Sequence, residues 1–68
     1  MTVAELLDLC RGSQKKQELA RTLRVSPAMV TRMYKGERKL TSRPVAALLA
    51  NYPQHKDTIL EVFMAQDL

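Results

Sequence analysis

Apolar side chains in this chain recur at three- and four-residue intervals, and no stretch alternates apolar and polar long enough for a strand, so the pattern predicts helices throughout. Val3, Leu6, Leu7 and Cys10 mark a first helix. It opens at Thr2-Val3-Ala4-Glu5, a hydroxyl and a carboxylate at capping-box spacing, and stops at Gly12, since glycine accepts the left-handed conformation after a helix. Ser13 is placed to cap a second helix, QKKQELARTL, on which Leu19, Ala20 and Leu23 form a narrow stripe. The segment Arg24-Val25-Ser26 is too short for a loop and too irregular to continue the helix. Ser26 followed by Pro27 is a helix start: the serine oxygen accepts from an orphan amide, and proline has no amide to orphan at the first helical position. The third helix, PAMVTRMYK, turns Val30 and Met33 inward and ends at Gly36. GERKLTS reads as a basic turn. Ser42 and Pro44 open a fourth helix with Val45, Leu48, Leu49 and Tyr52 on one face, and Pro53 breaks it. A fifth helix covers about 54–66, with Ile59, Leu60, Val62, Phe63 and Met64 apolar.

Five short helices in 68 residues predict an all-α bundle with one small core, a single domain over 1–68. A chain this short folds marginally unless it associates. The fifth helix is apolar on more than one face, whereas a lone domain needs one stripe. Ile59, Val62, Phe63 and Met64 are therefore expected to form an interface with a second copy. The competing arrangement lays this helix across helices 1 and 4 and uses both faces inside one chain.

Charge changes the picture more than composition does. The formal net charge is +4. Residues 11–43 carry ten Lys and Arg against Glu18 and Glu37, a balance of +8, while residues 44–68 carry Lys56 against Asp57, Glu61 and Asp67, a balance of −2. A basic middle beside an acidic tail is the footprint of a polyanion-binding surface; the plainer reading is a solvated basic face. With one cysteine and one histidine the chain holds neither an internal disulfide nor a four-ligand zinc site, which suits a reducing cytoplasm. No apolar run approaches the ~20 residues that cross a bilayer, and MTVAELLDL lacks the basic start of a signal peptide. No glycine-rich elbow, phosphate loop or paired-carboxylate cleft is present, so no enzymatic activity, cofactor, metal or small-molecule ligand is expected.

The segment ELARTLRVSPAMVTRMYKGER holds two helices around a tight joint, a helix-turn-helix. Ala20 is small where the helices cross, Val25 plugs the joint, and Val30 and Met33 bury the inner face of the third helix. Pro27, Ala28, Thr31, Arg32 and Lys35 then point out: short side chains early, long cations late, a shape suited to a major groove. Leu19-Ala20, Leu23, Val25-Ser26, Val30-Thr31 and Gly36 resemble the LA..LGVS....VS....G pattern of the Cro and phage-repressor (XRE-like) helix-turn-helix proteins. The likeness covers about residues 13–52 and implies a lambda-repressor-like fold with the motif on helices 2 and 3. One departure stands out: the family has glycine in the joint, and this chain has Arg24. A left-handed arginine there costs on the order of 1 kcal/mol relative to glycine; the alternative is that Arg24 reaches phosphate.

For DNA, base readout falls to Pro27, Ala28, Thr31 and Arg32. Arg32 can bond bidentately to guanine, and Thr31 and Ala28 can meet a thymine methyl; the alternatives for Arg32 are a phosphate contact or an ion pair with Glu37. The resemblance brings the start of helix 2, Lys15, Lys16 and Gln17, to the DNA backbone. Ser26, Lys35, Arg38, Lys39, Ser42 and Arg43 are further backbone candidates, which supply affinity and register but not sequence choice. Cys10 reads as a small core residue and His55 as a surface residue. The expected function is a cytoplasmic, homodimeric transcription regulator of the phage-repressor kind, binding a palindromic double-stranded operator without a membrane or ligand. The alternatives are a protein-binding module such as an antitoxin or phage inhibitor, and an excisionase-like architectural DNA binder.

Overall fold

The computed structural model of the chain describes residues 1–66; Asp67, counted in the charge balance above, lies outside them. Among the described residues there are five α-helices and no strand: α1 (Val3–Arg11), α2 (Lys16–Leu23), α3 (Pro27–Tyr34), α4 (Ser42–Asn51) and α5 (Lys56–Ala65), with a single 3-10 turn at Pro53–His55 leading into α5. One core joins them, built on Leu6, Leu7, Leu19, Val30, Met33, Leu40, Leu48 and Ile59, each almost fully buried. No buried polar side-chain atom among the described residues lacks a partner.

The helix ends explain the boundaries. At α1 the capping box forms as the sequence predicts: the Glu5 amide donates to Thr2 Oγ1 at 3.1 Å and the Thr2 amide donates to Glu5 Oε1 at 2.8 Å. The Thr2 amide first, and the Thr2 side chain after it, hold the Glu5 carboxyl below its ordinary pKa. At α3, Ser26 Oγ accepts from the Met29 amide at 3.2 Å and Pro27 takes the first helical position. Helix α2 departs from expectation. Ser13 does not cap it; the helix starts at Lys16 after Lys15, with no side-chain cap. The Gly12 turn redirects the chain, and Gln14 is drawn back onto Arg11, its amide donating to the Arg11 carbonyl.

Helices α2 and α3 end in the same way. The Val25 amide donates to the Ala20 carbonyl at 3.0 Å and the Arg24 amide to the Arg21 carbonyl at 3.1 Å; the Glu37 amide donates to the Arg32 carbonyl at 2.9 Å and the Gly36 amide to the Met33 carbonyl at 3.2 Å. Both are Schellman closures, which need a left-handed residue at the pivot. After α3 that residue is Gly36, with φ 78°. After α2 it is Arg24, with φ 58° and ψ 40°, the one non-glycine residue with positive φ among those described. The strain expected at Arg24 is therefore present.

Two corrections concern the core. Ile59, expected at an interface with a second copy, is 0% exposed, and Val62 is buried too. Helix α5 packs against both α1 and α4, which consumes the face carrying these residues. Phe63 is half-buried against the core, and Met64 alone of the four stands out, 80% exposed. The segment GERKLTS is more than a basic turn, because Leu40 within it is only 2% exposed. Its backbone is held by Gln66: the Leu40 amide donates to Gln66 Oε1 at 2.6 Å and Gln66 Nε2 donates to the Leu40 carbonyl at 2.8 Å. Two bonds from one carboxamide pin the centre of the α3–α4 loop to the end of α5.

Candidate nucleic-acid interface

With Val30 and Met33 sealed inward, the opposite face of α3 is open. Pro27, Ala28, Thr31, Arg32 and Lys35 are all exposed, and no other part of the described chain covers them. Thr31 Oγ1 donates to the Pro27 carbonyl at 3.1 Å. The hydroxyl proton is thus used inside the helix, so a partner meets the methyl and the acceptor side of the hydroxyl oxygen. The Arg32 guanidinium makes no hydrogen bond or ion pair with the Glu37 carboxylate and extends from the exposed face. Ser26 is committed to the cap, so it can approach an anion only with its remaining hydroxyl proton.

The flanking cations divide into two groups. On the α1 side Arg11 and Lys16 are tied down. Arg11 Nη2 donates to Asp8 Oδ1 at 2.9 Å, Arg11 Nε to Tyr34 Oη at 3.1 Å, and Arg11 Nη1 to the Gln14 carbonyl at 2.6 Å. Tyr34 Oη in turn donates to Asp8 Oδ1 at 2.8 Å, and Lys16 Nζ rests 4.4 Å from the centre of the Tyr34 ring. The Asp8 carboxyl is held below its usual range, first by the Arg11 hydrogen bond and then by Tyr34. The Tyr34 phenol is pushed up, chiefly by burial and then by its bond to Asp8. Lys16 thus lies where the sequence puts it, on the first turn of α2, but it is braced on an aromatic ring rather than loose. Lys15 and Gln17 beside it are exposed. With no side-chain cap, the Lys16 and Gln17 amides have no acceptor among the described residues and point out of the helix end, an arrangement that favours an anion.

On the α4 side the cations are free. Lys35, Arg38, Lys39 and Arg43 are exposed, and among the described residues the single ion pair is Asp8–Arg11. Ser42 begins α4 after Thr41, which supplies no side-chain cap. Pro44 follows in the first turn, where its missing N–H leaves no orphan. The Gln66 clip fixes the loop carrying Arg38 and Lys39 relative to the bundle.

Sequence reasoning did not single out Tyr34, Asp8, Gln14, Leu40 or Gln66. The i,i+3 spacing of Asp8 and Arg11 was a usable signal; the 26-residue separations of Asp8 from Tyr34 and of Leu40 from Gln66 carried none. Cys10 is buried among apolar neighbours, which raises its thiol pKa and makes it inert, as expected for a core residue. Among the described residues no helix is long and apolar enough to cross a membrane, and no cluster of three metal-ligating side chains occurs. Comparison with protein-family models, with curated proteins and with solved structures gives no match.

Proposed function

We propose that the chain is a sequence-specific, double-stranded DNA-binding transcription regulator of the phage-repressor kind. In this reading α2, the Arg24 joint and α3 form a lambda-repressor-like helix-turn-helix. The observation that carries it is the uncovered outer face of α3, polar and cationic, standing off a core sealed by Val30 and Met33 and flanked by cations on both sides. Pro27 and Ala28 let the start of α3 approach base edges closely. Thr31 offers its methyl to a thymine, and the Arg32 guanidinium bonds guanine O6 and N7. Lys15, Lys16, Gln17 and their free amides take phosphate on one side; Lys35, Arg38, Lys39, Ser42 and Arg43 take it on the other. Two copies on an inverted repeat would occlude a promoter. With Ile59 and Val62 inside the monomer, the duplex itself aligns the copies.

Selection of bound sites from random duplex DNA at fixed salt tests this directly. An enriched inverted repeat is the expected result; no enrichment over random competitor overturns the reading. Arg32→Ala should then cost ~1–3 kcal/mol and relax preference at one base pair per half-site.

A further inference from the structure

A groove of about 740 Å³ runs between the α2–α3 joint, α3 and α4. Its apolar surface comes from Val25, Met29 and the alanines of α4, and four cations line it: Arg24, Arg38, Lys39 and Arg43. All four are exposed, and none has an ion-pair partner among the described residues. No described residue lining the groove is acidic. Phosphate alone would satisfy the cations and leave the apolar wall wet. The groove therefore fits something both acidic and apolar.

The molecule carries such a surface at another place. On α5, Asp57, Glu61 and Met64 lie at i, i+4 and i+7, on the side of the helix opposite Ile59 and Val62. All three are exposed, and neither carboxylate is paired among the described residues. Met64 is the most exposed large apolar side chain described. An outward ridge of two carboxylates and a flexible thioether complements a groove of four cations over methionine, valine and alanine. The two surfaces are different parts of the chain, so the contact is heterologous: groove of one copy, ridge of the next.

We infer that the occupant of this groove is the outer ridge of α5 from a second copy of the chain. The association needs no nucleic acid, so a failed search for a bound duplex leaves it standing. Where the DNA reading also holds, the seated copy screens Arg38, Lys39 and Arg43 from phosphate. Self-association and duplex binding then compete.

The test uses the full chain and two double variants: Arg38→Glu with Arg43→Glu, which cancels the net charge of the groove, and Asp57→Lys with Glu61→Lys, which reverses the ridge. Sedimentation at low ionic strength should show wild-type mass rising with protein concentration and falling with added salt. Each variant alone loses the charge complementarity of the contact and should associate roughly tenfold more weakly or worse. Mixed in equal amounts, they should regain association, because the unaltered groove of the ridge variant then faces the unaltered ridge of the groove variant. Wild-type protein that stays monomeric at every concentration, a variant that associates as wild type does, or a mixture no better than its components overturns the inference. All four positions are exposed, and circular dichroism checks that the variants fold. Ala50→Glu on the groove wall and Met64→Lys on the ridge provide an independent pair, each expected to weaken association alone.

Discussion

Two sets of cations flank α3, alike in composition and different in state. On the α1 side, Arg11 is held by Asp8, Tyr34 and the Gln14 carbonyl, and Lys16 sits on the Tyr34 ring. On the α4 side, Arg38, Lys39 and Arg43 surround an apolar groove and are paired with nothing described. The first set spends its charge inside the molecule and braces α1 against α3. The second leaves its charge exposed at the surface. Counting basic residues between 11 and 43 lumps the two together, and only the position of one tyrosine and one aspartate separates them.

The comparison breaks most visibly at Leu40, the buried anchor beneath the free set. Leu40→Ala should cost ~2–5 kcal/mol, seen as a lower melting temperature, and should loosen the loop carrying Arg38 and Lys39. A loss under 1 kcal/mol by that scale would mean that the loop is not held by its leucine. On the tied side, Tyr34→Phe removes two hydrogen bonds and keeps the ring under Lys16. It should cost about 1 kcal/mol in denaturant unfolding and leave any salt-dependent binding by the α4 side unchanged. Arg24→Gly acts on both sides of the ledger. It relieves the left-handed strain seen at φ 58°, and it deletes one of the four cations lining the groove. Stability should rise by ~0.5–1 kcal/mol, strain relief being partly offset by a freer unfolded chain, while self-association weakens. Unchanged stability would show that the joint is unstrained.

Finer differences follow in solution conditions. If the chain binds duplex DNA, Lys39→Ala should reduce the slope of log affinity against log salt by about 0.9. Lys16→Ala should change it less, because its ammonium already leans on an aromatic face. Equal changes would erase the distinction between the two sets. The Asp8 clasp also sets a pH dependence. Its folded pKa is depressed below an unfolded value of about 3.9, so its contribution is present above that value and disappears as pH falls through the folded pKa. Acid titration of the Tyr34 ring proton NMR signals should report this opening, and Asp8→Asn should abolish it.

What could be read from the sequence was what is encoded locally. Thr2 with Glu5, Ser26 with Pro27, and Gly36 each act within four residues, and each end was placed. Val30 and Met33 follow from the helical period, as does the outward face of Pro27, Ala28, Thr31 and Arg32. The missed features depend on partners far along the chain. Leu40 is one leucine amid cations and shows its burial only once α5 lies beside it. Ile59 and Val62 looked surplus because the sequence did not decide between a second copy and the competing arrangement across helices 1 and 4, which is the one observed. Ser13 looked like a cap because serine near a helix start commonly is one, yet the turn at Gly12 delays α2 until Lys16.

The Gln66 carboxamide treats the Leu40 peptide much as a neighbouring β-strand would, occupying both its donor and its acceptor. The Leu40 amide hydrogen therefore exchanges with solvent only when the last turn of α5 lets go. That places one loop proton on the same clock as a helix terminus far along the sequence.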